Sequence, residues 1–240
     1  LSLFSLIDGD SGDAMRARME SERPFRDAEV SARGRHGQRW WSISASPIAN
    51  DAGAIVGWRG VGSDVTRARH DSDVMNHLAN FDSLTGLANR HQFQQRLSAL
   101  VGNPCTLLLL DLDNFKAAND RYGHATGDKV LQIVANRFKA QTRQGDVLAR
   151  LGGDEFALIV RGKPDLEVLA DLASRLIHCL RVPLSIDGVQ VKVGTSVGIA
   201  TAADDLLDPD ALLQFADMAL YAAKDAGRNT HCFFSSDMKE

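Results

Sequence analysis

Two neighbouring acids follow two glycines in the stretch RLGGDEFALIV (150–160), which lies between two apolar runs. Gly152 and Gly153 favour a tight turn, and the flanking runs favour the two strands of a hairpin. Asp154 and Glu155 therefore stand side by side where the chain bends back. Because adjacent carboxylates repel each other, the pair requires either a nearby cation or full exposure to water.

A third acid, Asp111, lies near the end of the apolar run CTLLLLDLD (105–113), which is typical of a central buried strand. Taken alone, this carboxylate is expected to face solvent or to act as a cap. A neighbouring hairpin changes that expectation, because it can bring Asp111 close to Asp154 and Glu155. Three carboxylates in one place require a hard cation. Mg²⁺ prefers oxygen ligands and often also binds substrate phosphates, so the pattern favours nucleotidyl or phosphoryl transfer.

The stretch NFKAANDRYGHATGD (114–128) follows that strand and contains groups that suit a nucleotide. The backbone amides of the turn and Lys116 can hold phosphate oxygens. Asp128 can accept from the N1–H and the exocyclic amine of guanine, a donor pair that adenine lacks, and Asn119 can donate to the guanine oxygen. A site built on such hydrogen bonds rejects the wrong base by on the order of 10⁴-fold. The alternative for Asp128, a favourable charge at a helix N-terminus, leaves Asn119 and Lys116 unexplained.

Two cations, Lys224 and Arg228, are spaced i, i+4 at the end of the last predicted helix. Cations in this position interact favourably with the helix dipole. The same pair can clamp a triphosphate if the helix end faces the hairpin. The spacing alone leaves both interpretations open.

Composition restricts the class of protein. The chain has 240 residues, of which 44% are hydrophobic and 24% charged, and its formal net charge is −4. These values are typical of a soluble protein of one or two domains, and they argue against a nucleic-acid partner, which would favour a basic chain. No apolar run approaches the ~18 residues of a membrane helix and no signal peptide is recognised, so we expect a cytoplasmic protein. Attachment to a membrane-bound upstream region stays open, because the chain starts at Leu1.

The three cysteines, Cys105, Cys179 and Cys232, are far apart in the chain. Their spacing matches neither a metal site nor a disulfide framework. They are interpreted as small buried side chains in a reducing compartment.

The N-terminal part favours three antiparallel strands. β-Rich stretches at 25–33, 39–50 and 54–66 are separated by turn residues. Residues 13–22 are compatible with a helix.

This part resembles the C-terminal half of a PAS sensor domain. The matching stretches are GRHGQRWWSISASPI and DAGAIVGWRGVGSDVT, which ends in Asp64-Val65-Thr66. Because the first strands of such a domain are missing, the resemblance implies a partial PAS-like domain over residues 1–66. Its tryptophans are predicted to be core or interface residues rather than ligand contacts: Trp40, Trp41 and Trp58.

Residues 67–80 are predicted to form a helical linker. Val74, Leu78 and Phe81 fall on one apolar stripe at helical spacing. A plain linker and a short dimerising helix that transmits a signal both fit three apolar positions.

From residue 81 onward, helices and strands alternate. This order, with one hairpin, predicts an α+β fold with a central mixed sheet flanked by helices. The predicted helices are 89–100, 126–140 with Thr126 as its N-cap, 165–181 and 209–226; the predicted strands are 105–113, 147–151, 156–160, 189–193, 195–201 and 230–234.

Five motifs in this part resemble the GGDEF family of diguanylate cyclases. In chain order they are FDSLTGLANR, DLDNFKAANDRYGHATGD, RLGGDEF, TSVGIA and ADMALYAAKDAGRN. The resemblance implies a GGDEF domain over residues 81–240 with a nucleotide-cyclase or polymerase-palm-like fold. It also implies condensation of two GTP into cyclic di-GMP with release of two pyrophosphates, by a homodimer in which each domain holds one GTP.

The resemblance assigns roles to individual residues. Asp154 is implied as the general base for the ribose 3′-hydroxyl, with Glu155 and Lys116 as further catalytic residues. The implied ligands of Mg²⁺, with Mn²⁺ as a substitute, are Asp111, the carbonyl of Leu112, Asp154 and Glu155. The implied substrate-binding residues are Asn114, Phe115, Asn119, His124, Asp128, Arg150, Lys224 and Arg228.

An R-x-x-D pattern, Arg143 to Asp146, lies eight residues before Asp154. The resemblance implies an inhibitory product site for cyclic di-GMP at this position. An arginine beside a carboxylate suits recognition of guanine and phosphate. A surface salt bridge is the alternative for so short a pattern.

A different function class also fits the chain. The tail FFSSDMKE resembles the junction that precedes an EAL phosphodiesterase domain in composite proteins. In such a protein the GGDEF part would be a catalytically silent module that binds GTP or cyclic di-GMP and regulates its neighbour.

Overall fold

The computed structural model describes residues 7, 9–34, 37–202 and 208–239. The chain separates into two compact units, Leu1–Asn76 and His77–Glu240. The division falls inside a helix, so the predicted limits 1–66, 67–80 and 81–240 stay a prediction. Among the described residues, no helix is both long and apolar enough to cross a membrane.

The N-terminal unit contains a three-stranded antiparallel sheet. One helix precedes the sheet in the chain and a second helix follows it. Strand β2 lies between β1 and β3, as the alternating β-rich stretches predict. Its elements are α1 (Gly9–Glu20), β1 (Phe25–Gly34), β2 (Gly37–Ala49), β3 (Ile55–Asp64) and the start of α2 (Thr66–Asn80).

The second unit is an α+β domain built on a five-stranded mixed sheet. Its elements are α3 (Arg90–Ser98), β4 (Cys105–Asp113), α4 (Phe115–Tyr122), α5 (His124–Lys139), β5 (Val147–Gly152), β6 (Glu155–Arg161), α6 (Leu166–His178), β7 (Leu184–Ile186), β8 (Val189–Val191), β9 (Gly194–Ala202), α7 (Pro209–Asp225), β10 (His231–Phe233) and a 3-10 turn, Ser236–Lys239. The strand order is β10-β9-β4-β6-β5, with only β9 and β10 parallel, while β7 and β8 form a separate hairpin.

Strand β4 is central because both of its faces are apolar. Leu108, Leu110 and Leu112 pack into a core with α5 and α6, whereas Leu107 and Leu109 pack into a second core with α3 and α7. Side chains alternate along a strand. Asp111 and Asp113 therefore continue the face of Leu107 and Leu109, toward α7.

Several helix boundaries differ from the sequence prediction: α1 begins at Gly9 rather than at residue 13, α6 ends at His178 rather than at residue 181, and α5 begins before Thr126. Helix α5 begins at His124 and its N-cap is Gly123, with φ +83°. Thr126 is not the N-cap; it lies in the first turn, where its hydroxyl donates to the carbonyl oxygen of Tyr122 at 2.9 Å. The earlier start is a consequence of α4, an unpredicted helix whose last residue, Tyr122, leaves only Gly123 between the two helices.

Candidate functional site

A two-residue turn joins β5 to β6. Gly152 pairs with Glu155 across it, which leaves Gly153 and Asp154 at the tip. Gly152 and Gly153 have φ of +146° and +53°, a region that favours glycine. The backbone N–H of Leu112 donates to the carbonyl oxygen of Asp154 at 3.2 Å. This bond ties the turn to the end of β4.

The pairing register places the acids of the two strands together. Asp111 of β4 lies directly opposite Glu155 of β6. Directly opposed residues project from the same face of an antiparallel pair. The structure thus brings Asp111, Glu155 and the turn residue Asp154 to one edge of the sheet, as the sequence predicts.

The protein supplies its own cations to this edge. Lys224 Nζ lies 2.9 Å from Asp111 Oδ2, and Arg90 Nη2 lies 3.5 Å from Glu155 Oε2. Burial raises the pKa of Asp154, and the negative charge of Asp111 raises it further. A backbone hydrogen bond and the positive charges of Lys224 and Arg150 oppose this shift without cancelling it. Asp154 therefore lies in a more protected, less polar position than its neighbour Glu155, whose side chain is 55% exposed.

The three carboxylates share this edge of the sheet, but their side chains do not converge on one point. Over the described ranges, no group of three or more His, Cys, Asp or Glu side chains is close enough to hold a metal ion. The physical reason is that Lys224 already neutralises Asp111 and Arg90 reaches Glu155. The donor set still consists only of carboxylate and carbonyl oxygens, which suits Mg²⁺. The ligand roles of Asp111, Leu112, Asp154 and Glu155 stay a prediction.

Helices α4 and α5 carry the residues predicted to contact a nucleotide. Asn114 precedes α4 with φ +65° and makes no side-chain capping bond. Lys116 is exposed, whereas Phe115 is only 8% exposed because its ring packs in the core. Phe115 can therefore serve a phosphate through its backbone N–H alone.

The residues predicted to read the base lie where the two helices meet. His124 is the first residue of α5 and Asp128 lies one turn further along the helix; both are exposed. The side-chain oxygen of Asn119 is buried and has no hydrogen-bond partner among the residues that the structure describes. The Nδ2 atom at the other end of this amide is the group that can donate a hydrogen bond to a ligand.

The segment after α7 is fixed by an acid that sequence reasoning missed. Asp113 is 4% exposed and accepts hydrogen bonds from Ser196 Oγ at 2.9 and 3.1 Å and from the backbone N–H of Asn229 at 2.9 Å. Arg228 and Asn229 both have positive φ, +64° and +50°. Asp113 thus holds the turn that carries Arg228. The available signal was its spacing: two residues after Asp111, on the same face of β4.

A family model described as "Diguanylate cyclase, GGDEF domain" matches residues 79–230. The chain belongs to the GGDEF family. A model of the PAS fold matches residues 8–70. The resemblances stated from the sequence and the α+β fold class are therefore confirmed.

Individual relatives agree with this assignment. The chain is 41% identical over 167 residues to the bifunctional diguanylate cyclase/cyclic di-GMP phosphodiesterase MucR of Pseudomonas aeruginosa, a match that covers 67% of this chain and 24% of MucR. It is 37% identical over 171 residues to the diguanylate cyclase TpbB of the same species, covering 68% of this chain and 39% of TpbB. The chain matches only 23%, 28% and 24% of the length of three curated relatives.

A solved structure shows the same fold. The coiled coil and GGDEF domain of DgcB from Caulobacter crescentus, in complex with c-di-GMP, matches with a TM-score of 0.64 and 30% sequence identity. The match covers 70% of this chain and 93% of that one.

In this GGDEF domain Arg150 is engaged with the protein itself. Its Nη1 atom lies 3.1 Å from both carboxylate oxygens of Asp82, and its Nε and Nη2 atoms donate to the carbonyl oxygen of Gly153 at 3.0 and 2.8 Å. Burial opposes ionisation of Asp82, but hydrogen bonds from Thr85 and the charge of Arg150 outweigh it and lower the pKa of Asp82. Sequence reasoning missed Asp82, although it is the second residue of the motif FDSLTGLANR. The predicted contact of Arg150 with substrate stays a prediction.

The R-x-x-D residues line a separate groove of about 260 Å³. Asp146 accepts from the backbone N–H of Arg143 at 3.0 Å, and no salt bridge joins the two side chains in the described part of the chain. Two further arginines, Arg161 and Arg175, line the same groove. Sequence reasoning missed both, because β6 and α6 bring them in from elsewhere in the chain.

The PAS part has a cavity of about 790 Å³ with a mainly apolar lining. Trp41 and Trp58 line it. Trp40 instead lies under Arg69, whose guanidinium carbon is 3.8 Å from the centre of the ring. Trp41 also packs against the small core formed by Met15, Ala28 and Val30, as predicted, and the ring of Trp58 lies 5.7 Å from that of Phe25.

Proposed function

We propose that this chain is an active diguanylate cyclase that condenses two GTP into cyclic di-GMP and two pyrophosphates. The observation that carries the proposal is the meeting of Asp111, Asp154 and Lys224 at one edge of the sheet. The carboxylates can hold a metal ion or accept a proton, and the ammonium group of Lys224 can stabilise negative charge on a phosphate. The match of the family over residues 79–230 supports the same reaction.

The chemistry requires removal of a proton from the 3′-hydroxyl of ribose. Asp154 is the proposed base, since burial raises its pKa and a higher pKa makes a carboxylate a better proton acceptor. The 3′-oxygen then attacks the α-phosphorus of the second GTP. The bond between that phosphorus and the oxygen that bridges it to the β-phosphate breaks, and pyrophosphate leaves. The same step in the other direction closes the ring and releases the second pyrophosphate. Lys116, Lys224 and Arg228 are proposed to stabilise the negative charge on the phosphates.

A divalent cation completes the site. Asp111, Asp154, Glu155 and the carbonyl oxygen of Leu112 would hold it, with Mg²⁺ favoured and Mn²⁺ as a substitute. When bound, it would lower the pKa of the attacking hydroxyl and stabilise phosphate charge. Each chain holds one GTP, so we propose that the active form is a homodimer.

The test is incubation of the purified chain with GTP and Mg²⁺, with cyclic di-GMP measured by chromatography. Asp154→Ala should abolish product formation, whereas Asp171→Ala, at an exposed position on α6, should leave the rate unchanged. Absence of product from the unaltered chain, even at high protein concentration where dimers form, would refute the proposal.

We further propose that the arginine groove is the inhibitory product site. Arg143, Arg161 and Arg175 give it three cations near the carboxylate of Asp146, and arginine recognises phosphate and guanine edges. Arg143→Ala and Arg175→Ala should each relieve inhibition by added cyclic di-GMP, and Arg96→Ala, exposed on α3, should not. Equal inhibition of all variants would contradict this assignment.

The PAS part is proposed to control the rate. Comparison of the cyclase rate with and without residues 1–66 tests this directly. An unchanged rate at equal dimer concentration would exclude control by the PAS part alone.

A second candidate, a silent module of a composite phosphodiesterase, is favoured by one observation. The chain is 38% identical over 183 residues to a protein of Escherichia coli named only as a cyclic di-GMP phosphodiesterase, PdeR, and it matches 28% of the length of PdeR. In that case the chain would bind GTP without turnover, and an EAL domain would follow in the whole protein. Tight GTP binding together with no cyclic di-GMP in the assay above distinguishes this candidate.

A further inference from the structure

Gly127 has no backbone reason to be a glycine. It lies in the first turns of α5 and is buried there, and its φ is not positive. A glycine in a helix interior costs about 1 kcal/mol relative to alanine. Some neighbouring group must therefore require the absence of a side chain.

That group is the side chain of Asn119 on α4. A Cβ atom on Gly127 would lie 1.7 Å from Asn119 Oδ1 and 2.9 Å from its Cγ atom. Such distances are far below van der Waals contact. With any other residue at position 127, the amide of Asn119 could not keep its place.

The orientation of the Asn119 amide is not stabilised by hydrogen bonds to its oxygen within the described part of the protein. Its Oδ1 atom is buried and lacks a hydrogen-bond partner in the described part of the chain, and a buried unpaired acceptor costs about 1–3 kcal/mol. The weak C–H donors of Gly127 are the groups that face it. Turning the oxygen inward directs the Nδ2 atom the other way, as a donor.

Resting on the proposed function, we infer that Gly127 is a specificity-determining positioning residue. By leaving room for Oδ1, it fixes Asn119 as a hydrogen-bond donor toward the base. Guanine has an oxygen at C6 that accepts from this donor, and adenine has an amine there that cannot. The acceptor Asp128 directly follows Gly127, so the two base-reading groups share one short, rigid segment.

A first test needs no nucleotide. Gly127→Ala, Asn119→Ala and the double variant are unfolded in urea, with Gly9→Ala as the matched control, because a methyl group there meets nothing within 4 Å. In the Asn119→Ala background, Gly127→Ala should raise the unfolding midpoint through helix propensity alone. When Asn119 is present, the change should differ from that value, because the methyl group must displace the amide. An equal change in both backgrounds overturns the inference. So does failure of the double variant to fold, because the methyl group would then clash with something else.

A second test measures equilibrium dissociation constants for GTP and ATP. Gly127→Ala should weaken GTP binding on the order of tenfold, the loss expected for about one hydrogen bond, and should leave ATP binding unchanged. In the Asn119→Ala background it should change GTP binding by less than about twofold. Equal losses for GTP and ATP overturn the inference. If the unaltered chain binds no GTP, the proposed function fails, while the unfolding test still decides whether Gly127 positions Asn119.

Discussion

The pair of Asp82 and Arg150 should behave as a clamp on the catalytic turn rather than as part of the substrate pocket. Arg150 contacts both oxygens of Asp82 on one side and the carbonyl oxygen of Gly153 on the other. Gly153 immediately precedes Asp154. Asp82→Ala therefore frees Arg150, which holds the tip of the turn. The substitution leaves the other residues that are proposed to bind GTP in place.

The expected magnitude follows from burial. The side chains of Arg150 and Asp82 are only 12% and 22% exposed. Breaking a fully buried pair by removing one partner costs about 3–5 kcal/mol, and the residual exposure of both groups reduces this. The hydrogen bonds that Asp82 accepts from Thr85, at 2.7 and 2.9 Å, contribute about 1 kcal/mol each. We expect a net loss of about 3 kcal/mol, or about 6–12 °C in the melting temperature of a domain of this size.

Calorimetry and hydrogen exchange measure the two consequences separately. Calorimetry of the whole chain should show the loss in the transition of the larger unit, and amide exchange should accelerate at residues 152–155. Asp171→Ala is the matched control, because its side chain is exposed on α6. Arg150→Lys should resemble Arg150→Ala, since an ammonium group cannot bridge two acceptors as a planar guanidinium does.

The reasoning is refuted by one combination of results. If Asp82→Ala leaves stability and exchange unchanged while Arg150→Ala weakens GTP binding and Arg150→Lys restores it, Arg150 acts on the phosphates directly. That outcome would favour the role predicted from the sequence.

Three other substitutions test separate parts of the site and the sensor. Asp113→Ala removes the acceptor of the hydrogen bonds from Ser196 Oγ and from the backbone N–H of Asn229 and so releases the turn that carries Arg228; it should weaken GTP binding about tenfold and leave guanosine binding unchanged in titrations. Asp128→Asn should bring the dissociation constants of GTP and inosine triphosphate, which lacks the exocyclic amine, close to each other. Hydrogen bonds from Thr66, followed by Arg39, lower the pKa of Asp64 from 3.8 to about 2. The ionised Asp64 carboxylate therefore contributes fully to stability above pH 3.8, and this contribution is lost as the pH falls toward 2. Between these pH values, the free energy of unfolding in urea should depend less on pH for Asp64→Asn than for the unaltered chain.

The sequence predicts the acidic edge of the sheet well because the elements that form it are local. An unbroken apolar run defines β4, and two glycines between apolar flanks define the hairpin. Once β4 and β6 are neighbours, the alternation of side chains leaves Asp111 and Glu155 on one face. Few alternative registers keep the leucines of β4 buried, so the position of the acids follows.

Contacts between distant parts of the chain could not be predicted in this way. Asp82 and Arg150 are 68 residues apart, and Asp113 and Asn229 are 116 residues apart. A salt bridge or a buried carboxylate leaves no periodic pattern in a single sequence. The same holds for the ion pair between Lys224 and Asp111, because the spacing of Lys224 in the sequence left both interpretations of its role open.

Helix α4 was missed because its residues favour a turn. Asn114, Asn119 and Asp120 are weak helix formers, and together they read as a loop after a strand. Burial of Phe115 and Ala118 in the core outweighs that preference, since tertiary packing supplies most of the stability of a short helix.

The two glycines of YGHATGD illustrate where sequence reasoning stops. Gly123 precedes the predicted helix 126–140 and suggests a turn, whereas Gly127 lies inside that predicted helix with no evident reason to be glycine. Gly123 meets that expectation, because its φ of +83° lies where other residues are strained. Gly127 is helical, and the space beside it is filled by an amide from another helix. A turn glycine can be recognised from its neighbours in sequence. A glycine that makes room for the side chain of another helix can be recognised only once the two helices are packed.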